Sequence, residues 1–346
     1  FGLVSLMFLD TSINMAMQPF KMMVGDMVNE KQKGLAYSIQ SFLCNAGSLV
    51  GFLFPFIFTW IGISNIAPQG VVPDSVIYSF YIGAAILILC VIYTTVKVKE
   101  MPPAEYAEYH GITEEEKKEK INMVKLLVKA PKAFWTVGLV QFFCWFAFMF
   151  MWTYTNGSVA ANVFDAPTVE TVVNGANKVV LDTKSIQYQN AADWVGVLFT
   201  VQAIGSVLWA VCIPMFKNRK LIYSLSLVLG GIGFISTYFV HNQYVLFISF
   251  LLIGCAWAAM LALPFTILTN ALSGGHMGTY LGLFNGTICI PQIVAATLGG
   301  SILALFTPKG MLPPEINMLV MAGVMLIIGA VCVYLIKETK GEQAKA

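Results

Sequence analysis

Nine long apolar segments are the feature of this sequence that most constrains its fold. They lie at about 1–28, 35–61, 76–97, 134–156, 193–216, 221–240, 243–271, 278–306 and 316–336. Each supplies the roughly 20 apolar residues that a helix needs to cross a hydrocarbon core of about 30 Å. The strands of a membrane barrel would be shorter and would alternate between apolar and polar residues. Backbone polar groups without hydrogen-bond partners are excluded in lipid, so each segment must be a helix. The sequence therefore predicts an all-α membrane protein.

The composition supports the same class. Of the 346 residues, 58% are hydrophobic and 11% are charged, whereas soluble domains contain about 25% charged residues. A net charge of +2 does not suggest a nucleic-acid partner. The seven cysteines lie in apolar runs without a C-x-x-C pair, so they predict no metal site. We expect membrane lipid as the surroundings of this chain.

The basic residues indicate its orientation. Sixteen of the 20 lysines and arginines fall in one set of alternate connections, while Lys178, Lys184 and Lys309 lie on the opposite side. Connections rich in Lys and Arg stay in the cytoplasm. The bias predicts a multi-pass protein of the cell (inner) membrane, with the C-terminus and the segment 98–133 in the cytoplasm.

The charged segment 98–133 divides the spans into three and six. We predict part of an N-terminal helical half at 1–97, a cytoplasmic linker at 98–133, and a six-helix half with a cytoplasmic tail at 134–346. Two six-helix halves joined by such a linker form the major facilitator plan. On that plan nine of twelve helices are present, helices 4–12, and we expect the first three to precede Phe1.

The outer segment 157–192 is polar and too long for a simple turn. Val179, Val180, Leu181 and Ile186 within it could pair as a short hairpin.

Polar residues form a stripe along the first span. Asp10 and Lys21 are eleven residues apart, which is close to three helical turns, and Asn14 and Gln18 lie between them. Because charge inside a membrane is costly, such residues are functional candidates. Asp10 is a candidate proton acceptor that alternates between charged and neutral forms. The alternative is a structural Asp–Lys or Asp–backbone pair that never titrates.

Three further residues of this span have open roles. Lys21 could bind substrate hydroxyls, pair with a carboxylate or extend toward the cytoplasm. Asp26 lies near the cytoplasmic end and is expected to act as a latch between helices. Pro19 removes a backbone hydrogen bond and can open the helix beside the stripe.

The fourth span carries an aromatic face. Gln141, Trp145, Phe148 and Trp152 follow the i, i+4, i+7 and i+11 spacing of one helix face. Sugars present flat C–H faces that stack on aromatic rings and hydroxyls that need polar partners, so this face suits a sugar cavity. The alternative is ordinary aromatic packing between helices.

The first span also resembles a known family. Plant-type sucrose transporters and their bacterial relatives, within the glycoside–pentoside–hexuronide:cation symporters, carry the pattern D-x-x-x-N-x-x-x-x-P-x-R-x-x-x-x-D. Asp10, Asn14, Pro19 and Asp26 fall at those spacings, with Lys21 where Arg is usual. The segments GDMVNEKQKGLAYSIQSF, APQGVVPDSVIYSFYIGA and NAADWVGVLF also resemble this family.

The resemblance implies proton-driven transport of a disaccharide such as sucrose or maltose, with Asp10 as the protonation site. It implies no cofactor beyond a coupling H⁺ and no obligate protein partner. A sodium-coupled glycoside symporter and a non-transporting sensor with the same fold remain alternatives. An enzyme is not expected, because His110, His241 and His276 lie in loops or at helix ends and form no cluster.

Overall fold

The computed structural model describes residues 2–29, 32–63, 72, 74–99, 102, 105, 108, 123–173, 176–272, 277–308 and 310–336. These residues form eleven α-helices and one β-hairpin. The elements are α1 Gly2–Met27, α2 Lys33–Trp60, α3 Asp74–Lys97, α4 Met123–Val128, α5 Lys132–Asn162, β1 Thr168–Val173, β2 Ala176–Leu181, α6 Ile186–Cys212, α7 Arg219–Ser236, α8 Leu246–Ala271, α9 Met277–Phe284, α10 Gly286–Phe306 and α11 Ile316–Cys332.

The predicted all-α membrane fold is confirmed. Seven helical segments of the described chain are long and apolar enough to cross a membrane, running from Asp74–Lys97 to Ile316–Leu335. Helices α1 and α2, at the positions of the first two predicted spans, are 26 and 28 residues long. The eighth predicted span is divided by a turn at Asn285 into α9 and α10.

Helices α5 to α11 form the C-terminal bundle, in which α5 is the longest helix. It packs against α10 and α11, while α8 packs against α6 and α7. Small residues permit the closest approaches: a Cβ at Gly205 of α6 would lie 2.6 Å from the Leu251 carbonyl oxygen of α8. Helices in lipid associate through such backbone contacts because apolar side chains gain little by leaving the lipid.

The first three helices join this bundle mainly through α2. Helix α2 packs against α6 and α8, and the Ser41 hydroxyl donates a hydrogen bond to the Ala258 carbonyl of α8 at 3.4 Å. Helix α1 packs against α2 and α9. Apolar side chains along α3 are exposed in the described chain, as a bilayer-facing helix requires.

The hairpin lies between α5 and α6. Strands β1 and β2 pair antiparallel, with Thr168 opposite Leu181 and Val169 opposite Val180. The prediction that Val179, Val180 and Leu181 pair in a hairpin is confirmed. The prediction that Ile186 belongs to the same hairpin is wrong. Ile186 begins α6 instead, because the Ser185 side chain accepts a hydrogen bond from the Tyr188 N–H and caps that helix.

The predicted linker 98–133 is described only in part. Its last residues form the short helix α4, and α5 begins at Lys132. Most of the residues between 100 and 122 lie outside the described part of the chain.

The contact between α6 and α8 generates a stability prediction. Gly205→Ala should lower the apparent melting temperature of the purified protein, because overpacking costs about 1–3 kcal/mol. Gly196→Ala, on the same helix with no atom within 4 Å of the added methyl, is the control. It should be neutral or slightly stabilising, because Ala has the higher helix propensity. Equal melting temperatures for the two variants would contradict this packing.

Candidate substrate and proton site

Four aromatic side chains meet between α5 and α8. Trp257 of α8 lies against Trp145, Phe148 and Trp152 of α5, with ring centroids 5.7, 4.8 and 5.7 Å away. Phe148 is fully buried, whereas Trp152 is 43% exposed and Trp257 is half-buried. The three aromatic residues predicted from the sequence are therefore brought together. Trp257 was not predicted as a site residue, because the spacing of residues along α5 carries no information about which side chains of α8 pack against it.

Gln141 lies on the same face of α5 and links it to α8. Its side-chain Nε2 donates a hydrogen bond to the Met260 carbonyl at 3.3 Å. Its buried Oε1 has no hydrogen-bond partner among the described residues, and neither has the Trp145 Nε1 one turn later. A free acceptor and a free donor thus stand beside the aromatic cluster. Buried polar atoms are ordinarily paired, so this arrangement suits a polar ligand.

Helix α2 adds a third unpaired polar atom near this level of α8. The Asn45 Nδ2 donates to the Ser41 carbonyl at 2.7 Å, and its buried Oδ1 has no partner within the described part of the chain. Ser41 itself is bonded to Ala258, the residue after Trp257. Polar groups from both halves of the chain therefore approach this part of α8.

Asp10 lies on α1, and its carboxyl is within electrostatic range of the Cys289 thiol of α10. One turn before Cys289, the Asn285 Nδ2 approaches the Cys289 sulfur at 3.8 Å, and the Asn285 Oδ1 is buried without a partner. In the described chain the Asp10 side chain is exposed. This carboxylate therefore stands where the first helix meets the C-terminal bundle.

Of the other polar residues predicted along α1, the structure describes the side chain of Asn14 but not those of Gln18 and Lys21. The Asn14 Nδ2 donates to the Asp10 backbone carbonyl at 2.9 Å, so this donor is satisfied within its own helix. Helix α1 continues through Pro19 without interruption. The predicted side chains of Gln18, Lys21 and Asp26 lie outside the described residues.

Helix α10 connects the two parts of the candidate site. Asn285 and Cys289 are one turn apart on the same side of this segment, and Cys289 is within electrostatic range of Asp10. Thr287, between them, contacts α5, and a Cβ at Gly138 would lie 3.0 Å from the Thr287 Cγ2. Gly138 is one turn before Gln141. A displacement of α10 at Asp10 would therefore reach α5 next to its unpaired polar atoms.

The described residues contain no group of three or more His, Cys, Asp or Glu side chains arranged to hold a metal ion. The polar groups at the site are thus amides, an indole N–H, a thiol and one carboxylate. This set can bind hydroxyl groups and can take up or release a proton.

The fold is that of a multi-pass helical membrane protein, and unpaired polar atoms lie beside aromatic rings where α5 packs on α8. The family model of the Major Facilitator Superfamily matches residues 3–175 and 168–346. This chain belongs to the major facilitator superfamily. It is a multi-pass helical secondary transporter, not an enzyme, and a small molecule is its cargo.

Solved structures show the same fold. The crystal structure of an E. coli fucose:proton symporter, FucP, is similar with a TM-score of 0.59 at 13% sequence identity. The match covers 92% of this chain and 72% of that protein. No curated protein sequence matches this chain.

The unpaired Gln141 oxygen generates a prediction about ligand binding. Gln141→Leu removes one interhelical hydrogen bond but also a buried unpaired acceptor, so stability should change by about 1 kcal/mol or less. Binding of the expected cargo, sucrose or maltose, should weaken about tenfold, since a lost hydrogen bond costs about 1.4 kcal/mol. Calorimetry and thermal unfolding of the full-length protein measure both effects.

The same substitution at exposed Gln187 is the control, and it should change neither quantity. A loss of stability without a loss of affinity would show that Gln141 only joins α5 to α8.

Proposed function

We propose that this protein carries out proton-coupled symport of a disaccharide of the sucrose or maltose class, as a member of the glycoside–pentoside–hexuronide:cation symporters. The cargo binds between the helical halves, and alternating access carries it across the membrane. The observation that carries this proposal is the pair of buried unpaired atoms, Gln141 Oε1 and Trp145 Nε1, beside the Trp145–Trp257 aromatic cluster.

A sugar satisfies both features of this surface. A hydroxyl group can donate to the Gln141 oxygen while another accepts from the Trp145 indole N–H. The apolar C–H face of the ring stacks on Trp257 or on the exposed part of Trp152. The similar E. coli protein is a fucose:proton symporter, which supports a sugar as the class of cargo.

Proton coupling rests on Asp10. A carboxylate at a helix interface costs free energy when it is charged and dehydrated, and less when it is protonated. Protonation therefore favours closer approach of α1 to Asn285 and Cys289, and α10 transmits that change to α5 at Gly138. A ligand that binds better to one arrangement shifts the population toward it.

The remaining elements of the proposal follow from the sequence. Gln18 and Lys21 add donors to the cargo site from α1, and Asn14 contributes its amide oxygen. Asp26 acts as a latch at the cytoplasmic end. The hairpin faces outward and the C-terminus lies in the cytoplasm, as the distribution of basic residues predicts.

The test is uptake of labelled sucrose and maltose by cells that express the full-length protein, with and without a protonophore. Uptake by the wild type should collapse when the protonophore is added. Asp10→Asn should abolish accumulation, because the amide cannot exchange a proton, while sugar should still equilibrate down its gradient.

Asp74→Asn is the matched control. Asp74 lies in the first turn of α3, away from α10, and this variant should accumulate sugar like the wild type. Accumulation that persists in Asp10→Asn, or that requires sodium and ignores the protonophore, contradicts proton coupling through Asp10. Failure to take up either sugar contradicts the proposed cargo.

A further inference from the structure

A second carboxylate, Glu315, lies in a slot between helices at the hairpin end of the C-terminal bundle. It is the residue immediately before α11, and its carboxylate oxygens pack directly on Gly157 of α5. A Cβ at position 157 would overlap these oxygens, so only glycine leaves room for the carboxylate. The side chain makes no capping hydrogen bond to the first turn of α11. Glu315 is therefore directed into the bundle and is not used as a helix cap.

Tyr154 and a second glycine form the rest of the slot. Tyr154 lies one turn before Gly157 on the same face of α5, and it interacts electrostatically with Glu315. A Cβ at Gly299 of α10 would lie 2.6 Å from the Tyr154 hydroxyl oxygen. Two glycines on two helices thus make space for one carboxylate and one phenol.

The surroundings of Glu315 disfavour its charged form. Burial raises the pKa of this carboxyl from 4.5 to about 7. Among the described groups, the titratable side chain that interacts with it is Tyr154 of α5, and Gly299 of α10 lies against the Tyr154 hydroxyl. His241, beyond the end of α7, is exposed, and Lys309, in the preceding loop, lies outside the described residues. Among the described groups, none opposes the effect of burial.

We propose that Glu315 is a proton-binding site, distinct from Asp10, that holds the first turn of α11 against α5 when it is protonated. The neutral carboxyl stays in the slot beside Gly157 and Tyr154. The ionised carboxylate moves toward water, and the contact between the start of α11 and α5 loosens. The ligand of this site is a proton, and the site operates whichever cargo the transporter carries.

This site makes the stability of the bundle depend on pH. The folded protein binds the proton more tightly than the unfolded chain does, so stability falls as pH rises. The fall begins near the ordinary pKa of 4.5 and ends above about 7, where both states are ionised. Below the lower value both states are protonated and the dependence vanishes.

Thermal unfolding of the purified full-length protein between pH 4 and 9 tests the proposal. The wild type should lose thermal stability between about pH 4.5 and 7. Glu315→Gln, which mimics the neutral carboxyl, should lose this dependence and should be at least as stable as the wild type at pH 8. Glu170→Gln, a change of an exposed carboxylate in the hairpin at the same end, should keep the wild-type profile.

Infrared titration supplies a second measurement. The wild type should show a protonated carboxyl band that disappears near pH 7 and that is absent from Glu315→Gln. Gly157→Ala should expel the carboxylate from its slot and move the titration to a more acidic pH. Retention of the pH dependence in Glu315→Gln, or a carboxyl band that is unchanged in both variants, overturns the proposal.

Discussion

The absence of hydrogen-bond partners in lipid is the constraint on which the rest of this structure depends. Most intramembrane hydroxyls and amides obey it within their own helices. Thr155 donates to the Met151 carbonyl at 2.6 Å and Thr266 donates to the Ala262 carbonyl at 2.9 Å. Against this pattern, unpaired atoms such as Gln141 Oε1 and Trp145 Nε1 are informative. Buried polar atoms without partners are costly, and in the proposed function a hydroxyl-bearing cargo removes that cost.

The same constraint explains why coupling in this fold needs few residues. Cys289 of α10 is within electrostatic range of Asp10, and Thr287 of the same helix lies beside Gly138 of α5. In the proposed mechanism, the charge on Asp10 changes the free energy with which α1 packs on α10, and Thr287 transmits the resulting displacement to Gly138. The proposed site at Glu315 uses the same physics at the hairpin end, where glycines admit a carboxyl whose pKa burial raises to about 7.

The class of fold could be predicted from the sequence, because the hydropathy of a long segment reflects its contact with lipid. The predicted ends of the helices were less accurate where a helix is covered by protein and not by lipid. The span predicted at 134–156 extends in the structure to Asn162, because Gly157, Ser158 and Val159 are buried by protein. Trp257 and Glu315 could not be predicted as site residues, since their partners lie on other helices far away in the chain. Asn14 was predicted as a site residue, but its amide N–H₂ already donates a hydrogen bond to the Asp10 carbonyl of the same helix.

The central claim is that sugar and proton cross together, and proton movement upon sugar addition tests it most directly. Energy-depleted cells expressing the full-length protein are placed in lightly buffered, sodium-free medium, and the external pH is recorded when sucrose or maltose is added. The account predicts a transient rise in external pH that a protonophore abolishes. Sugar entry with no change in external pH would contradict it.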